Sequence, residues 1–170
     1  MAIMSLLRLT DLNLIYKLME VMESTTLGFL RANNRVIDGY PNDLDLNTIT
    51  LWPTITVEID SIFGRDIELG SNQWPAFSVT IDVLAKTDSQ RDDISYYIWK
   101  ELNEVGHTLY NFNSAFPSTS GAVDYSGIPT LGEWYIDGLT MINIEANKDS
   151  ELVGLKHHSL LDGIIYLPNI

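Results

Sequence analysis

Across Thr87 the chain changes its hydrophobic period, and that change narrows its possible folds more than any other feature. Before it, Phe77, Val79, Ile81, Val83 and Ala85 alternate with Ser78, Thr80, Asp82, Leu84 and Lys86, the two-residue period of a strand with one buried and one wetter face. After it, Ile94, Ile98, Leu102 and Val105 recur at helical spacing, flanked by Tyr97, as one apolar stripe. Thr87 and Gln90 stand three residues apart, the distance at which a capping hydroxyl and an amide satisfy each other's backbone N–H groups. Asp92 and Asp93 are expected in the first turn, where the helix dipole favours negative charge. Gly106 is the expected stop. Both apolar stripes need cover, so the helix is predicted to lie on the sheet face of Val79, Ile81 and Val83.

The same reading extends in both directions. Thr10 or Asp11 is expected to cap a first helix over residues 10–33, with Leu12, Ile15, Met19 and Met22 on its buried stripe. Ser24-Thr25-Thr26 weakens its middle, where it is expected to stop early or bend. Residues 35–47, with Gly39, Pro41, Asn42 and Asp43, read as a loop. Ile55, Val57 and Ile59 alternate with Thr54, Thr56, Glu58 and Asp60, predicting a strand within 51–63 that is antiparallel to 77–86. Turns at 64–66 and 70–72 leave room for a short return at 67–69. A short strand is expected within 107–112, and two longer ones at 133–146 and 154–167 form a hairpin about Asn147-Lys148-Asp149-Ser150. The fold class is α+β, a twisted and mostly antiparallel sheet with an N-terminal and a central helix packed on it, as a single domain over 1–170.

Composition bounds the chemistry. Apolar residues make up 45% of the chain and charged residues 19%, enough for a packed interior. Ten Lys plus Arg against 23 Asp plus Glu leave a net charge of -13, which opposes close contact with a phosphate backbone. Without cysteine, disulfides and thiolate metal sites do not arise. The opening Met1 to Arg8 lacks a basic leader and a small-residue cleavage site, so no signal peptide is expected. No apolar run is long enough for a membrane span.

Catalytic constellations are missing. Asp43-Leu44-Asp45-Leu46-Asn47 has the alternate spacing of a calcium loop, but Thr48 stands where glycine is required and Thr54 where a bidentate glutamate is required. His157 and His158 are adjacent, and on a strand neighbours point to opposite faces; His107 is the remaining histidine. Ser120-Gly121 and Ser126-Gly127 lack a nucleophile elbow, and Gly127, Gly132 and Gly138 are spaced too widely to cradle phosphate. Neither a metal nor a cofactor is expected, and the chain does not read as an enzyme. Trp52, Trp74, Trp99 and Trp134 come from different elements without interleaved Arg or Lys, which points to core or subunit interface rather than a stacking platform for bases.

The run from Phe77 to Leu102, an alternating strand joined by Ser89-Gln90-Arg91-Asp92 to an acidic-capped helix, resembles the strand-to-helix unit of tail terminators and neck proteins of long-tailed bacteriophages. Residues 51–102 carry the likeness; the rest matches by order of elements. The resemblance implies a structural virion protein at the head–tail junction, a homo-oligomeric ring of about six subunits with heterologous contacts. It further implies tail-tube, sheath or neck proteins as partners and genomic DNA passing through without specific binding. A head-to-tail adaptor or stopper is the alternative within that class. A small enzyme or ligand-binding domain without a short motif is the alternative outside it. Residues 113–130, rich in Ser, Gly, Pro and Asn, are too long for an ordinary connection and are expected to meet a neighbouring subunit. Phe112, Phe116, Tyr125 and Trp134 are the interface candidates.

Overall fold

The computed structural model describes residues 5–24, 26–29, 35–38, 52–62, 75–103, 105–119, 122–145 and 157–167. The expected turns at 64–66, 70–72 and 147–150, the return at 67–69, the Asp43 to Asn47 spacing and Trp74 lie outside the described residues.

Ser5 caps the first helix, α1 (Leu6–Glu23), its hydroxyl accepting the Arg8 backbone N–H at 3.2 Å. The start expected at Thr10 or Asp11 is thus a turn too late. Both residues are engaged inside the helix instead: Thr10 Oγ1 donates to the Leu6 carbonyl at 2.9 Å, and Asp11 pairs with Arg8. The helix ends at Ser24, well short of residue 33, in the run of hydroxyl residues that compete for backbone hydrogen bonds. Ile15, Met19 and Met22 are buried together with Leu14 and Leu18, whereas Leu12 is half-buried.

Part of the expected loop after α1 is a strand, β1 (Val36–Asp38), parallel to β2 (Thr54–Ile62) with Val36 opposite Ile55. β2 runs antiparallel to β3 (Ala76–Ala85), pairing Ile55 with Val83 and Val57 with Ile81. The capped second helix, α2 (Asp88–Leu102), follows; Thr87 Oγ1 accepts the Gln90 N–H at 3.2 Å. The Gln90 amide oxygen reaches back to the N–H of Lys86, one residue further than a capping box would reach. Asp88 occupies the first turn, and Asp92 and Asp93 fall in the second, so their expected place is corrected. The helix closes at Asn103, leaving Val105 44% exposed and off the stripe.

β4 (His107–Tyr110), β5 (Thr130–Glu145) and β6 (His157–Tyr166) complete a mixed, strongly curled six-stranded sheet in the order β1-β2-β3-β6-β5-β4. The last strand in sequence therefore sits in the middle. α1 lies over β1, β2 and β4, and α2 over β3, β5 and β6. Ile94, Ile98 and Leu102 share one core with Val79, Ile81 and Val83, as the two stripes require. The face expected to be wet is dry at one end, where Thr54, Thr56 and Leu84 are all at most 1% exposed.

A β-bulge fixes how α2 seats. Between Asp137 and Thr140 three steps on β5 oppose two on β6, and Gly138 takes a φ of 64° to absorb the extra residue. Leu139 then turns into the core at 4% exposure, and its carbonyl accepts the Trp99 indole N–H at 2.8 Å. Opposite, Gly163 leaves the room this requires: a Cβ there would stand 2.7 Å from Ile136 Cγ2 and 3.3 Å from Leu139 Cα.

Candidate functional site

Two features of the fold offer chemistry to something outside it, and both lie toward the β4–β5 end of the sheet. The first is a cavity of about 350 Å³ between α1, β4 and the segment that follows β4. Asn13, Lys17 and Glu20 are spaced by four and three residues, so α1 presents them on one face. Asn13 is 3% exposed and fastens the helix to β4: its amide nitrogen donates to the Tyr110 carbonyl at 3.0 Å and its oxygen accepts the Tyr110 N–H at 2.8 Å. Lys17 and Glu20 pair at 3.2 Å by the mouth. His107 and Trp134 face each other across β4 and β5, ring centroids 4.6 Å apart.

Burial and the nearby Lys17 ammonium push the His107 imidazole down to about 4, so it is neutral at physiological pH. Its Nε2 and the Trp134 Nε1 are buried without a hydrogen-bond partner among the described residues. Residues 111–119 and 122–129 form the outer wall. Asn111 N–H donates to the Pro129 carbonyl at 2.8 Å, Ser118 and Asp124 exchange backbone bonds at 3.1 Å, and Val123 N–H donates to Glu23 at 3.1 Å. Tyr125 lies flat on Tyr110, 4.3 Å apart and 8° from parallel.

The four interface candidates separate. Phe112 and Trp134 are each 1% exposed and belong to the interior of this chain, Phe112 in a small second core with Leu9 and Ile128. Their expected role as anchors for a neighbour is corrected by that burial. Tyr125 is half-buried in its stack. Phe116, 56% exposed, remains available. The described part of the polar segment touches α1 through the Val123 bond to Glu23 and the packing of Phe112 and Ile128 on Leu9.

The second feature is the outer edge of β5. β4 pairs with it from residue 130 to Trp134, and Asn103 bridges Ile136. Beyond that, β6 covers one edge and no strand among the described residues covers the other. Met141, Ile142 and Ile144 on this stretch are 41%, 54% and 38% exposed.

The adjacent histidines diverge, as strand geometry requires. His157 Nδ1 donates to Asp88 at 2.8 Å, and His158 Nε2 donates to Asp82. The bond to His157 is the main reason the Asp88 carboxyl is held below its ordinary range. Among the described residues no group of three or more His, Asp or Glu is placed to hold a metal ion. No described helix is long and apolar enough to cross a membrane.

No family model matches the chain, and no curated protein matches it significantly. Asn13, Lys17 and Glu20 were detectable as polar residues at helical spacing along α1. Nothing in the sequence pairs them with His107 and Trp134, because their meeting depends on β4 closing against β5.

Proposed function

We propose that the chain is a non-catalytic assembly subunit that closes a ring at the head–tail junction of a long-tailed bacteriophage, ending the tail tube and joining it to the neck around a channel for DNA. The observation that carries assembly is the edge of β5 that no strand among the described residues covers, with exposed Met141, Ile142 and Ile144. Such an edge presents unpaired N–H and C=O groups to a second strand, and proteins that stay monomeric usually blunt it with charge, proline or cover. The sheet ends differently at its two sides, in the three-residue β1 and in β4. Unlike edges suit the head-to-tail contacts of a ring more than a two-fold dimer. The phage setting rests on the likeness of residues 77–102 to a tail terminator. The net charge of -13 suits a channel wall that should not retain DNA.

Sedimentation of the purified chain should give a closed oligomer, which Ile142→Lys combined with Ile144→Lys reduces to monomer with far-UV circular dichroism unchanged. Phage particles made without the protein should have unjoined heads and tails, or tails of irregular length. Normal tailed particles would end the phage reading, and an unaltered oligomer in the double variant would end the role of the β5 edge. Tight, salt-sensitive DNA binding by the isolated protein would remove the channel wall.

A further inference from the structure

Three Asp-Gly pairs occur in the chain, Asp38-Gly39, Asp137-Gly138 and Asp162-Gly163. The second and third stand in nearly the same local sequence, Ile136-Asp137-Gly138-Leu139 and Leu161-Asp162-Gly163-Ile164. Any difference between their chemistries therefore comes from the fold. An aspartate before glycine is the one most open to backbone rearrangement, because glycine has no Cβ to shield its nitrogen from the preceding side chain and leaves the peptide free to turn.

The fold treats these two pairs differently. Asp162 and Gly163 lie in β6, between β3 and β5, with Asp162 opposite Thr80 on one side and Thr140 on the other. The Asp162 carboxylate accepts the Thr80 hydroxyl at 2.8 Å, and Ile136 and Leu139 fill the space over Gly163. Asp137 and Gly138 are exposed and lie at the bulge of β5. There the ladder to β6 skips from Asp137 to Thr140, and no strand among the described residues covers the other edge. The Asp137 carboxylate makes no hydrogen bond or ion pair among the described residues. Asp137 Cγ and the Gly138 nitrogen belong to adjacent residues, so joining them needs only rotation within an exposed side chain and the peptide that follows it. Exposed side chains rotate in picoseconds to nanoseconds.

We propose that Asp137 is a site of spontaneous rearrangement to isoaspartate, and that the change releases Trp99 from β5. The Gly138 nitrogen attacks Asp137 Cγ; the new C–N bond replaces the carboxyl C–OH bond, and the hydroxyl leaves with the amide proton as water. Water then opens the resulting succinimide at the original bond between the Asp137 carbonyl carbon and the Gly138 nitrogen. The backbone now runs through Cγ, and the former carbonyl is the free carboxylate. The water lost in the first step is regained in the second, so the sequence needs no co-reactant and transfers no electrons. An extra carbon thus enters the backbone just before Leu139, whose carbonyl accepts the Trp99 indole N–H. That carbonyl is displaced, and the bond tying α2 to β5 opens. The site belongs to one chain and does not rest on ring formation.

The full chain, warmed at neutral pH and sampled over weeks, tests this. Isoaspartate is measured by methyl transfer from S-adenosylmethionine with an isoaspartyl methyltransferase, and its position by peptide mapping. It should form at residue 137 at least about tenfold faster than at 162, the rate equivalent of one hydrogen bond broken before reaction at 162. In urea the two sites should react alike, because their local sequences match. Asp137→Glu should abolish the signal at that position, since the longer side chain closes a larger and slower ring. The Trp99 indole N–H resonance of ¹⁵N-labelled protein, assigned by its loss in Trp99→Phe, should shift in the fraction that carries isoaspartate. Absence of isoaspartate at 137 in the folded chain overturns the site. Equal rates at 137 and 162 in the folded chain, or unequal rates in urea, overturn the part played by the bulge. A Trp99 resonance that stays in place in the converted fraction overturns the release.

Discussion

Asp11 and His107 should pull the pH dependence of stability in opposite directions, and removing one should expose the other. Asp11 is 6% exposed, and its Oδ1 has no hydrogen-bond partner among the described residues. Burial and the neighbouring Asp38 carboxylate raise it from its ordinary 3.8 to about 6, against the opposing pull of Arg8. His107, 8% exposed, moves the other way, from 6.5 to about 4, through burial and Lys17. A carboxyl that holds its proton more tightly when folded contributes stability that is complete below pH 3.8 and lost as the pH rises through about 6. An imidazole that holds its proton less tightly when folded contributes stability that is complete above pH 6.5 and lost as the pH falls through about 4.

At about 1.4 kcal/mol per pH unit, each displacement amounts to about 3 kcal/mol. The two slopes overlap between pH 4 and 6 and largely cancel there. The assay is urea unfolding at half-unit pH steps and fixed protein concentration, analysed as variant minus wild type so that every other titrating group subtracts. Asp11→Asn should gain on the wild type by about 3 kcal/mol as the pH rises from 4 to 6, because it lacks the group that loses stability there. His107→Phe should fall behind by about the same amount over pH 4 to 6.5, because the wild type recovers its imidazole contribution in that window. Difference curves that stay flat in pH for both variants would refute the reasoning, since burial would then not be displacing either proton.

Two packing predictions follow from the core. Gly163→Ala places a methyl 2.7 Å from Ile136 Cγ2 and against the backbone of Leu139, so it should lose about 1–3 kcal/mol in chemical denaturation; an unchanged midpoint would mean the bulge shifts freely. Ile98→Ala empties a fully buried position between α2 and the sheet and should cost about 2–5 kcal/mol, whereas a loss under about half a kcal/mol, the size of a surface change, would contradict that seat.

What the sequence by itself determined was local. The change of period across Thr87 located β3 and α2, because side-chain direction along a strand or helix depends only on the residue's own backbone. The Thr87 hydroxyl capped the helix as read, since its acceptor and the Gln90 N–H lie within one turn. The pairing of β2 with β3 and of β5 with β6 was legible from alternation and the order of the strands along the chain.

The tertiary structure decided everything that required two distant segments to meet. β1 is three residues long and exists because it lies against β2; nothing in Val36 to Asp38 distinguishes it from a loop. Ser5 rather than Thr10 starts α1, because both are competent caps and the packing of Leu9 beneath Phe112 and Ile128 selects the longer helix. The placement of β6 between β3 and β5 has no local signal, since a sheet's order is set by which apolar faces the curled sheet brings over the two helices. The same long-range closure turned Phe112 and Trp134 inward, and it set His107 and Trp134 face to face with two nitrogens unpaired among the described residues. Burial is a property of neighbours, and the neighbours of these residues stand tens of positions away along the chain, as α1 does from β4 and β5.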